Sequence, residues 1–324
     1  MEAGLVKRAG IAFKEIPAAG LHGVNPLRLP ANILSILKGI KKARLILEDF
    51  KPDAMFFTGG FVAFPMAFAG RNIPSLLYVP DVEPGMALKA LARFAKKITL
   101  TSEESVQFFS DPSKLIVTGY PVRPELSQWD NSSARAHFHI PAGKRVLLVF
   151  GGSKGSRSIN RAITYHLREL LPSMEVIHIT GELDWNEVEQ FYKTLPVNLR
   201  DSYHAYPYLH EEMGAALSAA DLVVSRAGAS ALGEFPHYGL PAVLVPYPYA
   251  WRYQKVNADT LVSKGAAEIL EDNLLMQALG ITVKNMFNSV GKIPSMKKAM
   301  SKLNRPDAAQ KIAEILYNLP GGTL

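Results

Sequence analysis

Short apolar runs alternate with amphipathic helical patterns along almost the whole chain. The runs are rich in Val, Ile, Leu and Phe and have the length of buried strands, whereas the segments between them repeat apolar residues with helical spacing. We predict strands at residues 11–16, 54–57, 75–78, 97–100, 115–118, 146–150, 175–180, 202–205, 222–225, 242–245 and 267–270. We predict helices at residues 30–50, 85–95, 158–171, 185–195, 211–220, 230–238, 253–264 and 306–319. Such alternation is typical of parallel, doubly wound α/β sheets.

The length of the chain and one polar segment predict two domains. At 324 residues the chain is longer than the roughly 250–300 residues at which a single hydrophobic core stops growing. Residues 123–143 are polar and contain proline, as expected for a linker. We therefore expect a first domain over residues 1–122 and a second domain over residues 144–304.

The composition narrows the range of possible sites. The chain has no cysteine, which excludes disulfides, zinc–thiolate sites and thiol catalysis. Its net charge of +7 suits an anionic lipid surface or an anionic substrate, and since we find no nucleic-acid motif we expect no nucleic-acid partner. The longest uncharged run, residues 54–70, is shorter than the ~20 residues of a spanning helix, and the first ten residues lack the apolar core of a signal peptide. We therefore expect no membrane span.

A Gly-rich turn follows the predicted strand 146–150. Its sequence is GGSKGS, residues 151–156, and a helical pattern begins at Ser158. Glycines let backbone N–H groups approach a phosphate closely, and the dipole at a helix N-terminus favours negative charge. The spacing fits neither the Walker loop nor the dinucleotide-binding fingerprint. The turn therefore indicates either a diphosphate site that includes Ser153 or an ordinary structural βα turn.

A second turn of small residues, SRAGASALGE at residues 225–234, follows the predicted strand 222–225. Glu234 lies about one turn into the next helix, where its carboxylate can accept hydrogen bonds from both hydroxyls of a ribose. The alternative is an ordinary solvated acid, which the helix dipole favours at this position. Two such turns in one half of the chain suggest a nucleotide diphosphate as the ligand.

A third segment, VPYPYAWRYQKVNA at residues 245–258, joins an aromatic, Pro-containing loop to a helix. Gln254 and Asn257 fall on one face of that helix. Neutral carboxamides donate and accept hydrogen bonds at once, which suits sugar hydroxyls. The alternative is a polar surface face.

In this order the segments resemble one family, the bacterial peptidoglycan N-acetylglucosaminyltransferases of glycosyltransferase family 28. The resemblance also rests on MEAGLVKRAGIAF, LHG, KPDAMFFTGGFVAFP, GYPVRPE and the terminal RPDAAQKIAEIL. It implies the GT-B fold, in which two Rossmann-like parallel-sheet domains face a cleft and a helix in residues 305–324 packs back on the first domain. It also implies inverting transfer of N-acetylglucosamine from UDP-GlcNAc to undecaprenyl-diphosphate-muramoyl-pentapeptide without a metal or cofactor, by a peripheral enzyme at the cytoplasmic face of the cell membrane.

The resemblance implies roles for individual residues of the donor site. Ser153 is expected to contact the UDP diphosphate, Arg123 to reach the donor from the linker, and the backbone at His210 to read uracil. Gln254 is expected to read the sugar hydroxyls, with Asn257 nearby. The other donor-binding residues that it implies are Arg226 beside the site and, around the nucleotide, Ala229, Ser230, Ala231, Leu232, Gly233 and Glu234, with Glu234 on the ribose.

The first domain departs from the family pattern. The family begins with a strand and a GGTGGH-like turn that meets the acceptor diphosphate and carries a candidate base histidine, whereas this sequence aligns from about 50 residues into the pattern, roughly one βαβ unit. YVPD at residues 78–81 stands where the family has His-Glu-Gln-Asn, and Tyr253 replaces the first of two glutamines. We therefore expect a first domain without its initial βαβ unit. Asp81 and His22 remain as candidate bases, and Asp81-Val82-Glu83 is a poor match to a DxD metal motif.

Residues 21–44 mix Leu and Ile with Lys and Arg. An apolar patch rimmed by cations suits an anionic bilayer surface, and an amphipathic core helix with a solvated basic face is the alternative. With the family resemblance, the pattern favours a contact with an anionic membrane surface.

Other functions are compatible with the same residues. The chain could hold a UDP-sugar without turnover unless a partner supplies the missing unit, or it could serve a related glycolipid acceptor. A UDP-GlcNAc 2-epimerase has the same fold, but it needs acidic and His groups around the sugar that we do not find in the first domain. The products separate these functions: a glycolipid, no product, or free N-acetylmannosamine.

Overall fold

The computed structural model describes residues 2–20, 24–249 and 253–319, which form two parallel α/β sheets with their helices. The strands are β1 Met55–Phe57, β2 Ser75–Val79, β3 Lys97–Leu100, β4 Leu115–Val117, β5 Val146–Phe150, β6 Glu175–Ile179, β7 Tyr203–Tyr206, β8 Leu222–Ser225, β9 Ala242–Leu244 and β10 Ala267–Ile269. The α-helices are α1 Glu2–Arg8, α2 Leu29–Phe50, α3 Ala63–Ala69, α4 Met86–Leu91, α5 Asn131–His137, α6 Arg157–Leu170, α7 Trp185–Thr194, α8 Val197–Arg200, α9 Met213–Ala219, α10 Ala231–Tyr238, α11 Tyr253–Ser263, α12 Leu275–Asn288, α13 Lys292–Ser301 and α14 Ala308–Tyr317.

The first sheet has the order β1-β2-β3-β4, with every pair parallel. Strand β2 is buried at all five positions, as expected for a parallel strand with both faces covered. On one face Leu77 and Val79 pack with Leu91 of α4. On the other face Leu76 and Tyr78 pack with Ile312 of α14, so the last helix of the chain covers the first sheet.

The second sheet has the order β10-β9-β8-β5-β6-β7, again all parallel. The chain enters at the central strand β5, builds outward to β7, and then returns to β8 on the other side of β5. The loops that follow β5 and β8 therefore diverge at the switch point of the sheet, where α/β proteins bind ligands at the carboxyl ends of their strands. These are the two turns of small residues.

The structure confirms most of the predicted strands and contradicts one. Residues 11–16 form no strand. The segment lies instead on α2, where Lys14 pairs with Asp49 at 2.8 Å and Asn32 donates a hydrogen bond to the Gly20 carbonyl at 2.8 Å. An apolar run needs a neighbouring strand to form a ladder, and the described residues of the first sheet offer none at this position.

Several helices form where none was predicted, among them α5, α12 and α13. Helix α5 lies inside the proposed linker, and its N-cap Asp130 accepts a hydrogen bond from the Ser133 N–H at 2.8 Å. Helices α12 and α13 follow β10, and α12 packs on α6 of the second domain. None of the helices in the described part of the chain is long and apolar enough to cross a membrane.

Candidate active site

The Gly-rich turn between β5 and α6 is shaped by its glycines. Gly152 and Gly155 have φ angles of +92° and +76°, in the region that favours glycine, and the Gly155 N–H donates to the Gly152 carbonyl at 2.9 Å. Gly155 lies directly against the backbone of Thr180 and Gly181, so a Cβ atom there would collide with main-chain atoms. The turn thus packs on the loop after β6 with its backbone facing the carboxyl ends of the strands.

A buried polar network supports this turn from below. The carboxamide of Asn160 on α6 donates to the Thr180 carbonyl at 2.8 Å and to Asp184 at 2.9 Å. Its oxygen accepts from His178 Nε2 at 3.0 Å, and His178 Nδ1 accepts from the Tyr203 hydroxyl at 2.7 Å. Burial lowers the pKa of His178 to about 3, so the ring is neutral and can accept this last bond. Sequence patterns did not identify this network, because its members come from α6, β6, β7 and the loop before α7.

A cavity of about 580 Å³ opens above the turn, at the carboxyl edge of the second sheet. The expected donor-site residues that line it are Arg123, Ser153, His210, Ser230 and Glu234. Its other walls, which the sequence did not single out, include Phe150, Ile179, Tyr208, Leu209 and Met213 on the apolar side and Glu125, Glu211 and Glu212 on the acidic side. Apolar walls with a few convergent polar groups are typical of a small-molecule site.

Glu234 is a half-buried acid on the first turn of α10, inside this cavity. Burial raises the pKa of its carboxyl, while the charge of Arg123 and a hydrogen bond from Ser230 act in the opposite direction. A surface acid in a first helical turn would keep a normal or lowered pKa, so this environment argues against an ordinary solvated side chain.

The rest of the segment 229–234 serves packing as much as the cavity. Ala231 is buried in the core, and Leu232 packs partly against that core. A Cβ atom on Gly233 would collide with the ring of Tyr120, so glycine here lets α10 approach the first domain closely. Of the side chains in this segment, Ser230 and Glu234 line the cavity.

Arg226 lies beside the site, as expected, but its guanidinium is occupied by protein groups. Nη1 is 2.6 Å from Asp272 Oδ1 and donates to the Val245 carbonyl at 3.1 Å. Nη2 donates to the hydroxyls of Ser156 and Ser158 at 2.8 and 2.9 Å. Arg226 is therefore a framework residue in this structure rather than a free cation for the ligand.

Asn257 differs from its expected role. Its carboxamide is fully buried, donates to Asp81 Oδ1 at 2.8 Å and to the Ala227 carbonyl at 3.1 Å, and accepts from the Val82 N–H at 3.0 Å. All of these groups lie within the protein, so the amide holds the first domain to the second instead of facing a sugar. A further contact between the domains is the 2.6 Å ion pair of Lys264 with Glu104.

Asp81 follows β2 and meets the second domain at this Asn257 contact. Burial raises the pKa of its carboxyl, and the hydrogen bond from Asn257 opposes that shift. The other candidate base, His22, lies outside the described residues. Within the described ranges no group of three or more His, Asp or Glu side chains is arranged to hold a metal ion.

Gln254 stands at the start of α11, and its side-chain oxygen accepts a hydrogen bond from the Tyr247 N–H at 2.8 Å. This contact fixes the loop after β9 and leaves the NH₂ group of the amide pointing away from that bond. Tyr247 also stacks on Arg226, with the guanidinium carbon 5.1 Å from the ring centroid. The stacking of Tyr247 on Arg226 therefore holds the loops after β8 and β9 together.

Comparison with known proteins assigns both halves to one family. Residues 1–100 match the glycosyltransferase family 28 N-terminal domain, and residues 146–312 match the family 28 C-terminal domain. A UDP-N-acetylglucosamine–N-acetylmuramyl-(pentapeptide) pyrophosphoryl-undecaprenol N-acetylglucosamine transferase from Roseiflexus sp. is 39% identical, over 98% of this chain and 81% of its own length. The enzyme of the same name from Desulforamulus reducens is 36% identical, over 98% of this chain and 88% of its own length.

Solved structures agree with this assignment. The crystal structure of Acinetobacter baumannii MurG superposes with a TM-score of 0.76 at 25% identity, over 98% of this chain and 87% of that one. The UDP-GlcNAc 2-epimerase of Neisseria meningitidis, bound to UDP-GlcNAc, superposes with a TM-score of 0.67 at 15% identity, over 98% and 88% of the two chains, and shows the fold alone. The chain therefore has the GT-B fold and belongs to glycosyltransferase family 28, among the UDP-N-acetylglucosamine–N-acetylmuramyl-(pentapeptide) pyrophosphoryl-undecaprenol N-acetylglucosamine transferases.

Proposed function

We propose that this chain transfers N-acetylglucosamine from UDP-GlcNAc to a polyprenyl-diphosphate-linked muramoyl-pentapeptide, the step from lipid I to lipid II, with inversion at the sugar. The observation that carries the proposal is the cavity at the switch point, where Ser153, Arg123 and Glu234 converge from three separate segments. The relatives named for this reaction match nearly the whole chain at 33–39% identity, which supports the same chemistry here.

The cavity offers a partner for each part of UDP. Phe150, Leu209 and Met213 provide an apolar wall for the base, next to the backbone at His210. The Glu234 carboxylate is the acceptor for the ribose hydroxyls. The diphosphate lies on the Gly-rich turn, where Ser153 and the N-terminus of the 14-residue helix α6 face negative charge.

The charges in the site suit departure of UDP. As the bond between the sugar C1 and the diphosphate oxygen breaks, UDP leaves with the electron pair and negative charge grows on the diphosphate. Arg123 is an exposed cation on the cavity wall, and the α6 dipole and Ser153 are fixed before the reaction begins. Groups that are already oriented stabilise the developing charge without further reorganisation.

Attack on C1 comes from the face opposite UDP, by an acceptor hydroxyl that gives up its proton. We infer that Asp81 takes this proton. It follows β2 of the first domain, and its Asn257 contact brings it next to the loop after β8. A carboxylate whose pKa burial raises is a stronger base than an ordinary aspartate.

We also infer that α2 contacts an anionic membrane surface. Leu27 is 88% exposed before the helix, and Ile33, Leu34 and Leu37 on α2 are each at least half exposed. Exposed cations accompany them at Arg28, Lys38, Lys41, Lys42 and Arg44. An apolar stripe rimmed by basic side chains matches the boundary between acyl chains and anionic headgroups, and a surface of this kind brings the enzyme to a lipid-linked acceptor.

Replacing Leu37 with Glu should weaken binding to vesicles that contain anionic lipid by about tenfold, because one buried leucine contributes about 1.5–3 kcal/mol and the new charge is repelled. Cosedimentation with vesicles measures this. Val290→Glu is the matched control, since Val290 is fully exposed in the turn after α12 of the second domain. Equal vesicle binding by both variants and the unchanged protein would contradict the membrane contact.

Calorimetric titration tests the donor site. We expect UDP-GlcNAc to bind more tightly than UDP-glucose or UDP-galactose, because a transferase of N-acetylglucosamine has to select this sugar. Equal affinities would show that the site reads UDP alone. Absence of binding by folded protein would contradict the donor site altogether.

A further inference from the structure

Asp272 lies behind the Gly-rich turn, just after β10. Its Oδ1 is 2.6 Å from Arg226 Nη1 and accepts a hydrogen bond from the Ser158 hydroxyl at 2.7 Å. The side chains of Arg226 and Asp272 are only 10% and 23% exposed. At such burial an ion pair is screened weakly by water, and removal of one partner leaves the other charge poorly compensated.

The pair connects four loops at the carboxyl edge of the second sheet. Asp272 belongs to the loop after β10 and Arg226 to the loop after β8. Arg226 reaches Ser156 and Ser158 after β5, and it stacks on Tyr247 after β9. Since these loops surround the switch point, the ion pair holds the loops of the donor site in place. Neither residue of the pair lines the cavity itself.

The contact with Arg226 affects the role of Ser156 at the start of α6. It is the N-cap residue of α6, and a serine at that position normally accepts a hydrogen bond from a backbone N–H of the first helical turn. Here its hydroxyl makes no capping bond and instead accepts from Arg226 Nη2 at 2.8 Å. The N-terminus of α6 thus carries no side-chain cap from Ser156, which suits a helix end that receives an anion.

We propose that Asp272 is a positioning residue for the donor diphosphate. By holding Arg226, it keeps the Ser156 hydroxyl away from the helix end, so that the N-terminus of α6 receives the diphosphate instead of its own cap. The proposal rests on the proposed function of this cavity, and it assigns Asp272 no contact with the ligand.

The test compares UDP with uridine, which lacks the phosphates. Asp272→Asn keeps the shape of the side chain and removes its charge. We expect the Kd for UDP to rise about tenfold, the lower end of what a charged hydrogen-bonding partner contributes, and the Kd for uridine to stay within about twofold. Ser158→Ala, which removes one bond to Asp272, should change the Kd for UDP in the same direction by less. Glu271→Gln is the control, because it removes the same charge from an exposed neighbour.

Calorimetry separates the outcomes. Equal losses for UDP and uridine, or a change in thermal stability without a change in either Kd, would overturn the proposal in favour of a general structural role. Tighter UDP binding by Asp272→Asn would also overturn it, since Asp272 would then only screen the charge of Arg226. If the unchanged protein bound UDP and Asp272→Asn bound it equally well, the proposed function would stand and this inference would fail. If the unchanged protein bound no UDP, both would fail.

Discussion

Asp81→Asn should lower kcat by about 100-fold or more while leaving the KM for UDP-GlcNAc within about threefold, as expected for loss of a general base that does not bind the donor. The asparagine keeps the size of the side chain and an oxygen that can still accept from Asn257 Nδ2, so the contact between the domains is retained. Steady-state kinetics with a lipid-linked acceptor measures both constants.

The pH dependence of kcat tests the role of Asp81 independently. Burial raises the pKa of Asp81, so the carboxylate that accepts the proton is lost at a higher pH than for an ordinary aspartate. We expect kcat to fall as pH decreases through this raised pKa, and we expect Asp81→Asn to lack that fall. An unchanged profile in the variant, or an unchanged kcat, would contradict the role of Asp81 as the base.

Asp81→Ala separates catalysis from domain contact. It removes the carboxylate and also the acceptor for the buried Asn257 amide, which is left with an unpaired donor at a cost of about 1–3 kcal/mol. We expect kcat to fall as in Asp81→Asn, with an additional loss of stability. A loss of activity in Asp81→Ala that Asp81→Asn does not share would mean that Asp81 acts only through the contact between the domains.

Glu234→Gln should weaken UDP binding by about 30-fold to 100-fold, because two hydrogen bonds from the ribose to a charged acceptor are replaced by weaker ones to a neutral amide. Calorimetry with UDP measures the change. Glu187→Gln on α7 is the control, since this side chain is 59% exposed and its ion pair with Arg161 lies at the surface.

Unlike its affinity for UDP, the free energy of unfolding of Glu234→Gln should not decrease. Because burial raises the pKa of this carboxyl in the folded protein, the folded state binds the proton more tightly than the unfolded chain. Ionisation above the unfolded value therefore destabilises the fold, and stability increases as pH falls through the window between the two pKa values. Glu234→Gln has no carboxyl group to ionise, so its free energy of unfolding near neutral pH should be unchanged or higher.

Normal binding of UDP by Glu234→Gln would contradict the assignment of the ribose to Glu234.

Local patterns predicted the central part of the fold well. The strands β5 and β8 are buried on both faces, so their sequences VLLVF and LVVS are continuous apolar runs, and the turns that follow carry the glycines that their geometry needs. Because parallel strands bring their carboxyl ends to one edge, Ser153 after β5 and Glu234 after β8 line one cavity, which Arg123 reaches from the segment between the two sheets.

Sequence patterns failed where a role depends on a distant partner. Asn257 has the residue type of a sugar contact, yet Asp81 and Val82, about 175 residues away, occupy its amide. Asp272 belongs to no sequence motif, and its proposed role follows from its contacts with Arg226 and Ser158. The run 11–16 has the composition of a strand, but strand formation requires an adjacent strand that the run itself cannot specify.

The most direct measurement is the product formed from UDP-GlcNAc and undecaprenyl-diphosphate-muramoyl-pentapeptide, analysed by mass spectrometry. We predict a lipid product heavier by one N-acetylhexosamine, together with UDP in equal amount. Free N-acetylmannosamine would identify an epimerase instead. UDP-GlcNAc bound by the folded chain without any glycolipid product would contradict the claim that this chain is a transferase.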